Sequence, residues 1–110
     1  MRLPNAERAV VDIVKLRDYC LNANHPRGRH KARLFAAALG ITVEDAAELR
    51  ELFLLGICNQ DATPGISDAY GERFTIDMPM NRLGRKAVVR TAWIVKCGED
   101  FPRLTSCFIL

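Results

Sequence analysis

The sequence predicts an α+β fold in which N-terminal helices pack on one face of an antiparallel sheet. Two observations carry this. Apolar residues recur at helical spacing through residue 59, then alternate with polar ones from residue 72 onward. Between them, residues 60–71 have the Pro, Gly and small polar composition of a loop. The 110 residues fit one domain with a helical half (12–59), a loop (60–71) and a strand half (72–110).

The elements follow in order. "VDIVKLRDYCLN" places Ile13, Leu16 and Cys20 on one stripe behind Asp12, a suitable N-cap. Pro26 and Gly28 interrupt that pattern. "RHKARLFAAALG" resumes it with Ala32, Phe35, Ala36 and Leu39, and Gly40 is a C-terminal stop. The third helix opens with Thr42 and Asp45 as a capping box and carries Ala46, Leu49, Leu52, Phe53 and Ile57 inward. In "ERFTIDMPM" the period becomes two, and Pro79 marks an edge strand or a fraying end. "NRLGR" is a turn, "KAVVRTAWIVKC" a central strand rich in β-branched and aromatic residues, "GEDFPR" a connection and "LTSCFIL" a last strand. The second sheet face is left free for function.

Hydrophobic residues make up 49% and charged residues 26%, a globular composition that excludes a disordered chain. The net charge of +3 permits a polyanionic partner without demanding one. No apolar run approaches the ~20 residues of a membrane span, and the N-terminus has no leader-like apolar core. Cys20, Cys58, Cys97 and Cys107 form no CxxC pair and no zinc-ligand grouping with histidine. Reduced thiols in a cytoplasmic protein are expected, with Cys97 and Cys107 the one pair able to approach on neighbouring strands.

The richest polar chemistry lies in "LNANHPRGRHKARLF". His25, Arg27, Arg29, His30 and Lys31 stand at the start of the second helix, where unpaired N–H groups and the macrodipole already favour an anion. Such a cluster suits a phosphate or an acidic partner, and a solvated surface turn is the plain alternative. Arg90 and Thr91 interrupt the central strand, for which an ion pair from Arg90 to Asp77 or Glu99 is the simpler reading. Arg103, Thr105 and Ser106 lie on the last strand, and Trp93 reads as packing. Glu44, Asp45, Glu48 and Glu51 read as a solvated helix face; no glycine-rich phosphate loop, serine elbow or Cys-His nucleophile pattern is present. A histidine, a lysine, arginines and hydroxyls remain. That set suits metal-independent RNA cleavage through 2′-OH attack on phosphate.

These stretches carry a resemblance over residues 3–110. The elements LN-x-x-HP-x-G-x-x-KA-x-x-F, YG-x-R, VR-[ST]-x-W and PRLT resemble a small uncharacterised bacterial domain family. That family occurs stand-alone and as the C-terminal tip of filamentous-haemagglutinin and contact-dependent-inhibition toxins. The resemblance implies a nuclease of the barnase/EndoU/colicin/RelE (BECR) type, with helices on an antiparallel sheet and no cofactor or metal. Carried onto matching positions, it implies catalytic roles for His25, Lys31, Arg90 and Thr105, and substrate-binding roles for Arg29, Thr91 and Arg103. His25 would be general base or acid, with Lys31 and Arg90 clamping phosphate. Ala23, Asn24 and the "NRLGRK" turn depart from the family pattern, in loops only. RNA is the implied substrate, and a small acidic antitoxin or immunity protein the implied partner. The rival classes are a non-catalytic protein-binding module and a nucleic-acid-binding protein without cleavage.

Overall fold

A computed structural model describes residues 1–110. The helical part comprises α1 (Ile13–Lys15), continued by a π-helical turn (Leu16–Cys20), then α2 (Arg29–Leu39) and α3 (Ala46–Gly56). Four antiparallel strands follow: β1 (Thr63–Asp68), β2 (Gly71–Arg82), β3 (Arg85–Lys96) and β4 (Pro102–Ile109). They form one sheet in the order β1-β2-β3-β4. This is the expected α+β class, helices first and sheet second.

Local signals explain the helix boundaries. The Asp12 carboxylate accepts from the Val14 N–H and caps α1. Thr42 and Asp45 close the capping box, leading through a 3-10 turn (Val43–Asp45) into α3. Gly40 ends α2 at φ 64°. The helical stripes converge on one core of 20 buried residues, including Leu16, Phe35, Leu39, Leu49 and Phe53. From the sheet, Phe74, Ile76, Met78, Val89, Trp93, Leu104 and Cys107 meet them. Thr91 is the buried polar residue among these: its hydroxyl donates to the Ile76 carbonyl at 2.9 Å and accepts from Trp93 Nε1 at 2.8 Å.

Two expectations need correction. Residues 60–71 are not all loop, because Thr63–Asp68 form the edge strand β1. All six of its residues are exposed, so it has none of the in–out alternation by which a strand is read, and Pro64 and Gly65 mask it further. The first helix is not regular either; its second half widens into a π turn. Pro79 behaves as expected. β1 pairs with β2 only as far as Thr75, so Pro79, paired with Val88 on one side, faces an uncovered edge on the other.

β2 and β3 are joined by Leu83-Gly84, both at positive φ (52° and 76°), which matches the right-handed twist of a hairpin. Arg82 fastens this hairpin to the helices: it contacts Glu48 at 2.6 Å, Asp45 at 3.2 Å and the carbonyls of Leu39 and Gly40 at 3.0 and 2.9 Å. At the other side of the sheet, Val10 bonds to Pro102 and Leu104 and covers the start of the β4 edge. Beyond Leu104, a bulge between Ala92 and Trp93 of β3 and their partners leaves Thr105 as the extra residue.

Candidate functional site

The element HP-x-G is a helix start. His25 Nδ1 accepts from the backbone N–H groups of both Arg27 and Gly28, each at 3.0 Å. The His25 carbonyl accepts from the Arg29 N–H at 3.0 Å, so the hydrogen-bonded spiral begins one turn before α2 proper. His25 therefore stands as N-cap, Pro26 at the first helical position and Gly28 at the third. Gly28 is required there because a Cβ would overlap the Tyr19 carbonyl oxygen. The motif thus docks the start of α2 against the π turn, and His25 packs edge-on to Tyr19 with ring centroids 4.7 Å apart.

This geometry constrains the chemistry of His25. With Nδ1 accepting two N–H groups, the neutral ring carries its proton on Nε2. Nε2 is then a hydrogen-bond donor and cannot take a proton.

One turn further on, Lys31 Nζ donates to Ser106 Oγ at 2.7 Å and lies 5.2 Å from the Tyr19 ring centre. Lys31 thus bridges the two halves of the chain. Beside it an open cleft of about 680 Å³ is lined by Asp12, Lys15, Asp18, Tyr19, His25, Thr105 and Ser106 among others. Its walls are the first helical segment and the β4 edge just past Leu104. Thr105 Oγ1 donates to the Ala92 carbonyl at 3.1 Å, leaving its oxygen able to accept. Ser106 accepts from Lys31 and keeps its own O–H for a ligand. One Asp12 oxygen holds the Val14 N–H, while Asp18 is paired with Arg17 at 2.9 Å.

Of the sequence-predicted residues, His25, Lys31 and Thr105 come together here. Arg29 lies exposed at the start of α2. Arg90 does not join them: it forms a two-bond pair with Asp77 on the neighbouring strand, at 2.7 and 2.9 Å. This is the cross-strand ion pair that the sequence favoured. Arg103 is likewise held by Glu99 at 2.9 Å. Both arginines hold their partner carboxyls below the ordinary carboxylate range. Thr91 is buried, with its hydroxyl fully used, so it braces Trp93 and meets no ligand. The site accordingly sits at the sheet edge and not on the open face, where arginine–carboxylate pairs stand. Tyr19, Asp12 and Lys15 were missed as site residues and had no signal in the sequence beyond the helix cap at Asp12, while Ser106 was noted beside Thr105 as a last-strand hydroxyl without being given a role.

Among cations, Arg27, Arg29 and Lys31 enter none of the ion pairs of the fold. No cluster of His, Cys, Asp and Glu is arranged to hold a metal ion, and no helix is long and apolar enough to cross a membrane.

Helices capping one antiparallel sheet, with a polar cleft at its edge lined by hydroxyls, two aspartates, a lysine and a histidine, define the protein as a small α+β domain with a polar cleft. Residues 2–110 match a family described as a domain of unknown function, DUF6883, and the chain belongs to that family. No curated protein and no solved structure matches it.

Proposed function

We propose that this cleft binds the phosphodiester of RNA and promotes its metal-independent cleavage, as the toxin member of a toxin–antitoxin pair with a BECR-like layout. The observation that supports this best is the convergence of His25, Thr105 and Ser106, drawn from both ends of the domain, on one cleft, with Lys31 Nζ beside it, 2.7 Å from Ser106 Oγ. Lys31 supplies fixed positive charge for the phosphate, where charge builds as the 2′-OH attacks. His25 Nε2–H and Ser106 O–H donate to its remaining oxygens. Asp18 is tied to Arg17, whereas Asp12 keeps one oxygen free on the cleft wall, so the base role for the 2′-OH proton passes from His25 to Asp12. Unpaired Arg27 and Arg29 extend the positive surface along the incoming strand, and the same surface suits a small acidic antitoxin in the cytoplasm.

Purified protein, incubated with a single-stranded RNA in the presence of chelator, should give cleavage products carrying 2′,3′-cyclic phosphate ends. Lys31→Ala and Asp12→Asn should lose most of that activity while Arg90→Ala should keep it. Binding that falls steeply with salt but yields no product supports the non-catalytic nucleic-acid reading instead. Absence of any RNA binding, with recovery of a protein partner, supports the protein-binding module.

A further inference from the structure

The cleft continues past the sheet edge. A second recess, of about 180 Å³, shares Asp12, Lys15 and Thr105 with it and adds Ile94, Lys96 and Arg103 to the lining. Strand alternation gives its place. Trp93 faces the core, so Ile94 and Lys96 face the opposite side of the sheet, where Ile94 is the register partner of Arg103 on β4. The groove thus turns from the β4 edge onto the open face. Ile94 lies outside the core cluster yet is only 7% exposed, and it forms a sheltered apolar floor there. Two lysines rim that floor from different elements: Lys15 ends α1 and Lys96 ends β3. Both are exposed, and neither enters an ion pair. Arg103 is held by Glu99 through two bonds, and Glu99, which also feels the Lys96 charge, is committed by them. Asp12 is the carboxylate on the lining, at the junction with the cleft. Two free cations sharing so small a recess repel each other, and an anion between them turns that repulsion into attraction.

We propose that this recess is a second phosphate subsite. Between Lys15 and Lys96 it holds the phosphodiester next to the one in the cleft, on a single-stranded RNA that turns over the β4 edge. This rests on the phosphodiester reading of the cleft and extends it from one phosphate to two. Lys15 lines both compartments, so it stands between the two phosphates, while Lys96 marks the far side of the second. Ile94 offers apolar contact to the nucleotide that carries the second phosphate. A positive groove that tracks the backbone, with apolar contact to successive nucleotides, is the general means of holding a single strand, and a duplex is too wide for the recess. The ligand that fills the whole groove is therefore a chain of at least three nucleotides, and a dinucleotide leaves the recess empty.

The test uses the full chain and 2′-deoxyuridine oligonucleotides, which lack the attacking hydroxyl and bind without being cut. A dinucleotide carries one phosphodiester and a trinucleotide carries a second. Titration of isotope-labelled protein, followed by NMR, gives both affinities. In wild type the third nucleotide should tighten binding about tenfold and shift the Ile94 and Lys96 amide signals. In the double variant Lys15→Gln/Lys96→Gln that gain should shrink to about twofold or less. Both lysines are exposed, so the double variant should melt with wild type. Lys86→Gln, which removes an exposed and unpaired lysine at the hairpin end of β3, should keep the full gain. A third nucleotide that adds nothing in wild type overturns the second subsite and leaves the first. So does a gain that survives in the double variant, or one that Lys86→Gln also removes. A third nucleotide that shifts the Arg27 and Arg29 signals while Ile94 and Lys96 stay unmoved overturns it too. If wild type binds neither oligonucleotide, the phosphodiester reading and the second subsite fall together.

Discussion

His25 holds two roles that substitution can separate. Its Nδ1 caps the backbone N–H groups of Arg27 and Gly28, while its Nε2–H faces the cleft. Losing an N-cap costs about 0.5–2 kcal/mol. Losing the edge-on contact to Tyr19, with centroids 4.7 Å apart, costs roughly 0.5–1.5 kcal/mol more. His25→Ala should therefore destabilise the domain by about 1–3.5 kcal/mol, a melting temperature lower by roughly 4–14 °C for a chain of this size. His25→Asn keeps a short acceptor for the same two N–H groups and should recover about half of that loss. It supplies no donor where Nε2–H stood, so it should cleave RNA no better than His25→Ala. Thermal unfolding followed by circular dichroism, run beside a cleavage assay at a temperature where all variants are folded, reads both quantities. An alanine variant that melts with wild type refutes the capping role. An asparagine variant with full cleavage refutes the Nε2 role.

Other outcomes follow from the same geometry. Thr91→Val removes the hydroxyl bond to the Ile76 carbonyl and leaves the buried Trp93 indole N–H without its acceptor; it should cost about 1–3 kcal/mol in chemical denaturation, followed by emission of the single tryptophan. Arg82→Ala should lower the melting temperature more than Arg90→Ala, because Arg82 holds two carboxylates and two helix-end carbonyls whereas Arg90 holds Asp77 alone. Arginine partners hold Asp18, Glu48, Asp68, Asp77, Glu99 and Asp100 below their ordinary values. Depressed carboxyls contribute stability above the unfolded value near pH 4, and that contribution is lost as pH falls through the folded values. Melting temperature should accordingly drop on acidification below about pH 4, and drop less in high salt. Leu83 is 80% exposed at φ 52°, so Leu83→Asn should raise the melting temperature by relieving part of the ~1–2 kcal/mol that a left-handed backbone costs.

Those parts of the fold set by near neighbours were legible in the sequence. The Asp12 cap, the Thr42–Asp45 box, the Gly40 stop and the alternation of β2 each rest on residues within one or two turns, or on simple period. β1 was illegible because its residues are all exposed and leave no periodic trace. The π turn and the Thr105 bulge depend on which residue meets which across the fold, so no local pattern announces them. Within the site, His25, Lys31 and Thr105, named from the HP-x-G-x-x-K and PRLT elements of the resemblance, lie at or beside one cleft. The VR-[ST]-x-W element grouped Arg90 and Thr91 with them, although adjacent strand residues point to opposite faces: Arg90 pairs with Asp77 and Thr91 is buried. Ser106 and Tyr19 became visible once β4 was seen beside the π turn.

The contact from Lys31 to Ser106 spans 75 residues of chain. One wall of the cleft belongs to the first quarter of the domain and the other to its last strand, so no fragment lacking β4 holds a finished site. Assembly of the cleft and completion of the fold are then a single event. A binding protein that peeled β4 from β3 would dismantle the cleft without touching His25, and releasing the strand would rebuild it.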